Sequence, residues 1–122
     1  MSSTLQGRHR LLAEIGRLID LIESELKRIG YWSPNPPDLR SRYATGEMKT
    51  FLDAPSFELW LQQVFIPNAR DAVAKDALPK KSEVGLAALR QYDYHSTVPE
   101  AHNLLSLLSE FDEMVERCGR SR

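Results

Sequence analysis

A chain of 122 residues is long enough for one domain with one core, and short of what two would need. Charged residues at 27% and apolar residues at 42% exclude a disordered or membrane-embedded class. A formal net charge of −1 excludes a whole-molecule field strong enough to hold nucleic acid without specificity, and leaves only a local patch open to that role. The single cysteine, Cys118, has no partner for an internal disulfide or a cysteine metal cluster. A reducing compartment, the cytoplasm, is expected, since MSSTLQGRHR lacks the apolar run of a signal peptide and no stretch reaches membrane-spanning length.

From Thr4 to about Ile29, Leu12, Ile15, Ile19, Ile22, Leu26 and Ile29 alternate steps of three and four, which predicts a long amphipathic helix. Gly30 supplies the residue that best adopts a left-handed helix end, and Tyr31-Trp32 follow. Residues 33–52 hold three prolines, Pro34, Pro36 and Pro37, and Gly46. They predict a long proline-rich strap pinned by Tyr31, Trp32, Tyr43, Met48 and Phe51.

The next window, FELWLQQVFIP, is the most apolar and aromatic. Phe57, Trp60, Leu61, Val64 and Phe65 fall on one helical stripe, and Asp53 to Ser56 mark its start. Pro67 must bend that helix or begin another, because it lacks an amide donor and crowds the carbonyl four residues back. A helix-compatible run then leads to Pro79, and a short helix with Ser82 as cap is expected through Tyr92, although Gly85 weakens it. Thr97-Val98-Pro99-Glu100 reads as a capping box. Beyond it Ala101, Leu104, Leu108, Phe111, Val115 and Cys118 predict a last full-length helix. The expected class is all-α: a single domain over residues 1–122, built as a compact four-helix bundle with the proline-rich loop between its first and second helices.

The run Trp60-Leu61-Gln62 and Val64-Phe65-Ile66-Pro67, with Asp53 seven residues before the tryptophan and Leu78-Pro79 after the helix, resembles the YqcC-like family of small bacterial helical proteins. The resemblance spans most of the chain. It implies a compact, all-helical, cytoplasmic domain whose molecular function is not established, and some relatives are encoded beside a tRNA pseudouridine synthase. The chain departs from the family's usual run at Gln63, where a second tryptophan is expected, and at Asn68-Ala69, where Arg-Met is expected.

No catalytic set is legible. His9, His95 and His102 lack the spacing of a metal motif, so no metal and no cofactor are expected. Cys118 lies on the apolar seam at a helix C-terminus, where a thiolate is disfavoured, and reads as a packing residue. Asp20, Glu23 and Glu25, and Glu110, Asp112, Glu113 and Glu116, read as solvated faces rather than acid and base pairs. A pseudouridine synthase needs a larger mixed-sheet domain than this periodicity builds.

Two constellations remain as candidate sites. Trp60 reads first as core. The alternative is a groove between strap and bundle lined by Tyr31, Trp32 and Trp60, with Gln62, Gln63 and Arg70 at its rim. In an up-down-up-down bundle the termini meet, which gathers Arg8, Arg10, Arg117, Arg120 and Arg122 into a basic patch. The expected function is a non-enzymatic interaction or accessory module with an unknown protein partner. The rivals are an RNA-associated accessory factor and a small-ligand binder.

Overall fold

The computed structural model describes residues 2–92 and 98–120, and all regular structure among them is helical. The long helices are α1 (Ser2–Arg28) and α6 (His102–Arg120). Between them lie α2 (Leu39–Ala44), α3 (Phe57–Trp60), a π-helical segment (Leu61–Phe65), α4 (Ile66–Ala74) and α5 (Val84–Tyr92). Tight 3₁₀ turns cover Phe51–Asp53 and Pro99–Ala101.

Helices α1 and α6 run antiparallel. At one end Arg8 Nη1 donates to the Cys118 carbonyl at 3.1 Å, and at the other Glu25 accepts from Asn103. Along the seam Ile15, Ile19, Ile22 and Leu26 meet Leu104, Leu108, Phe111 and Val115 in one fully or nearly fully buried cluster. Each such side chain contributes about 1.5–3 kcal/mol by leaving water. Gly30, at φ +82°, ends α1 as its sequence anticipates, with the Tyr31 N–H returning to the Leu26 carbonyl at 2.8 Å. The outer face of α1 meets α4 through Arg70, which donates to Glu23 at 2.8 Å and Asp20 at 3.1 Å.

Pro67 does not start a separate helix. The helical run from 57 to 74 instead widens into the π segment just before it, where the Ile66 N–H reaches back five residues to the Leu61 carbonyl. A wider turn suits a site where proline supplies no donor and its ring crowds the carbonyl four residues back. The start is capped by Ser56, whose Oγ accepts from the Leu59 N–H at 3.2 Å. Widening this turn leaves Leu61, Gln62 and Val64 all buried.

The strap is not wholly extended. Asp38 caps α2 by accepting from the Ser41 N–H at 3.1 Å, and Thr50 and Asp53 form a reciprocal box around the second turn. The strap carries its own small core, Leu39 and Met48 against Val64 of the π segment. A second tie is polar. Gln62 accepts from the Ser33 N–H at 2.8 Å and donates to the Ser33 carbonyl at 2.9 Å, satisfying both backbone groups from a buried side chain. Gln62→Ala leaves both unpaired and is expected to lower stability by about 2 kcal/mol. A thermal melt unchanged by this substitution would show that the tie holds nothing.

Helix α5 packs on α6 without room to spare. Asp112, on α6, accepts from the Val84 N–H at 3.2 Å and the Gly85 N–H at 2.7 Å, so α5 is capped by a side chain of its neighbour. Ser82 does not act as that cap: its hydroxyl donates to Asp112. The expected Thr97 box lies outside the described residues.

Candidate functional site

The strap, the helical run at 57–74, residues 78–87 and Phe111 line an open apolar cavity of about 510 Å³. That volume lies within the range of small-molecule sites. Trp60, Val64 and Phe65 form one wall, Ala69 and Ala72 of α4 the floor, and Phe111 of α6 the back. Tyr43 and Phe51 close it from the strap, while Leu78, Val84 and Ala87 close it from the other side. The rings form a connected array. Phe51 stands edge-on to Trp60 at 5.8 Å between centroids, Trp60 stacks with Phe65 at 6.0 Å, and Phe65 meets Phe111 edge-on at 5.0 Å.

The lining's charged groups are an ion pair between Lys81 and Glu83 of 2.9 Å at the mouth, and Tyr43, Asn68 and Ser82 add neutral polar groups. The Trp60 indole nitrogen is shut off from solvent and has no hydrogen-bond partner, the only such side-chain atom among the described residues. A buried donor left unpaired costs about 1–3 kcal/mol, so this group is usually satisfied or rationalised.

The six residues expected to line one groove are not brought together. Trp60 belongs to the cavity. Tyr31 and Trp32 line a separate, more polar hollow of about 560 Å³ with Pro34, Glu58 and Leu59, and Lys27 Nζ sits 4.9 Å above the Trp32 ring. Gln62 is buried in its tie to Ser33, Gln63 is half-buried and lines neither hollow, and Arg70 is held by Asp20 and Glu23 on the outer face of α1.

The arginines of the basic end are also only partly together. The start of α1 does lie beside the end of α6, but Arg8 is spent on a two-toothed pair with Asp76 (one contact at 2.8 Å), which raises its pKa chiefly through that hydrogen bond. Arg10, Arg117 and Arg120 are exposed, with Arg117 3.7 Å from the Met114 sulfur. Arg122 lies outside the described residues.

Titratable groups elsewhere are used for structure. Burial pushes the Asp112 carboxyl up, against the pull of its three donors. Burial also raises the Tyr92 phenol, whose hydroxyl donates to Glu58. Glu25 is buried rather than solvated, and Arg28, with one contact at 2.8 Å, lowers its pKa. His9 and His102 are exposed, and His95 lies outside the described residues. Among the described residues no cluster of histidine, cysteine, aspartate and glutamate is arranged to hold a metal ion, and no helix is long and apolar enough to cross a membrane. What this arrangement offers is selection by shape and apolarity.

Fold and cavity together define a small all-helical chain with one strap-covered apolar site. Residues 14–114 match the model of the DUF446 family, described as tRNA pseudouridine synthase C, and the chain belongs to that family. No curated protein and no solved structure matches it.

Proposed function

We propose that the chain is a non-enzymatic, cytoplasmic accessory module that recognises its partner through the cavity beneath the strap. The observation that supports this reading most is the lining: a wall of aromatic and aliphatic side chains with its charges restricted to one mutually neutralising pair at the mouth. Such a surface binds by burying apolar groups. The family description names a tRNA pseudouridine synthase, and an accessory chain serving such an enzyme accords with that description. Ala72→Trp places a large side chain in the cavity from its floor. The variant is expected to keep its melting temperature and lose at least ten-fold in the retention of whatever partner the wild-type chain captures from its native host. Equal retention by a folded Ala72→Trp protein would rule the cavity out.

A second reading, an RNA-associated accessory factor, draws on the same family description and on the exposed Arg10, Arg117 and Arg120 where α1 begins and α6 ends. It requires RNA affinity that falls steeply with salt and is lost on reversing those three charges.

A further inference from the structure

We propose that the hollow beside Trp32 is a second docking point, which receives an arginine side chain of a protein partner. It is separate from the cavity beneath the strap and does not rest on that cavity being a site.

The charge of the hollow selects a cation. Among the described residues Glu58 is the only charged one in its lining, and its carboxylate accepts from the neutral Tyr92 hydroxyl without making an ion pair. The strap-covered cavity differs here, because its Glu83 is matched by Lys81 at 2.9 Å. Glu100, on the turn before α6, adds a second negative charge: burial raises the Tyr31 phenol, and the charges of Glu100 and Glu58 raise it further. Lys27 does not cancel them, since it is outside the lining and is held by Glu23 at 2.9 Å.

The rings select the kind of cation. Lys27 Nζ, 4.9 Å from the Trp32 centroid, shows that this indole takes a positive charge over its face, and Trp32 is paired with no other ring among the described residues. A guanidinium is flat, stacks on such a ring and turns a fork of N–H donors to a carboxylate, whereas an ammonium is a compact point charge. The arginine stem is apolar and lies along apolar surface, which Pro34 and Leu59 supply. A metal ion is a poorer match, since no cluster of three or more ligating side chains exists among the described residues.

The probes are acetyl-Gly-Arg-Gly-amide, the citrulline peptide, which has nearly the same shape and no charge, and the lysine peptide, which has the charge and no flat face. Titrations of the full chain follow the Trp32 indole N–H and the Leu59 methyl resonances, the indole being assigned by its absence from Trp32→Phe. The arginine peptide is expected to move both and to bind about fivefold more tightly than either control. Glu58→Gln keeps an acceptor for the Tyr92 hydroxyl, and should weaken the arginine peptide about fivefold without altering the citrulline peptide. Trp32→Ala should weaken the arginine peptide more than the lysine peptide.

Equal binding of citrulline and arginine, or arginine affinity unchanged by Glu58→Gln in a folded chain, overturns the cation. Lysine binding as tight as arginine overturns the guanidinium. Arginine-peptide shifts at Val64, Leu78 and Val84 in place of Trp32 and Leu59, or no shifts at all, overturn the hollow as the site. The Ala72→Trp retention test reads the other cavity, so the two readings fail separately.

Discussion

Gly85→Val is expected to destabilise the fold by about 3 kcal/mol, more than any other single added side chain on α5. A Cβ at this position meets the Ser109 Cα at 2.8 Å, the Ser109 nitrogen at 2.9 Å and Asp112 Oδ2 at 2.9 Å, and two of those three are backbone atoms of α6 that cannot swing aside. Overpacking of this kind costs about 1–3 kcal/mol, and displacing α5 also strains the 2.7 Å bond from the Gly85 N–H to Asp112. The gain in helix propensity on replacing glycine, under about 1 kcal/mol, is too small to offset this. Denaturant unfolding measures the effect, and a midpoint unchanged by Gly85→Val would contradict the close α5–α6 contact.

Trp60→Ala tests the aromatic array with two opposed terms. Removing a buried tryptophan costs about 3–5 kcal/mol. Here the ring is only partly buried, though it packs against both cores and stacks with Phe57 at 5.9 Å and Phe65 at 6.0 Å. Its loss also relieves the unpaired N–H, worth about 1–3 kcal/mol. The packing loss wins, and a net destabilisation of about 2–3 kcal/mol is expected. Trp60→Phe keeps most of the stacking and removes the donor, so it should cost less than about 1 kcal/mol. If phenylalanine were as damaging as alanine, the N–H would be satisfied by a partner and the cost assigned to it would be wrong.

The periodicity of α1 and α6 was legible because both are long, amphipathic and cleanly stopped or started, by Gly30 in the first case. Other features depend on residues far apart in sequence. Gly85 weakens a helix when read locally, and its reason is the backbone of Ser109 across the interface. Glu25 looks like one more carboxylate on a polar face until Arg28 and Asn103 are seen closing over it. The strap's extended reading followed from its prolines, which do not reveal that Asp38 caps a helical turn just beyond them.

Trp60 stood out as a candidate by size and spacing alone. Its partners in the cavity did not. Phe111 comes from the last helix, and Tyr43 and Phe51 were legible only as pins for the strap. The buried Gln62 sits next to Gln63 with nothing in the local sequence to say which of the two ties Ser33. Packing across the fold decides it: within the π segment Gln62 is buried and Gln63 is half-buried.

The most direct test of the cavity as the binding site is a methyl-resolved NMR titration of the full chain with the partner it captures from its native host. The account predicts shifts concentrated at Val64, Leu78 and Val84. Shifts confined to the hollow around Tyr31, Trp32 and Leu59, with those methyls unmoved, would contradict it.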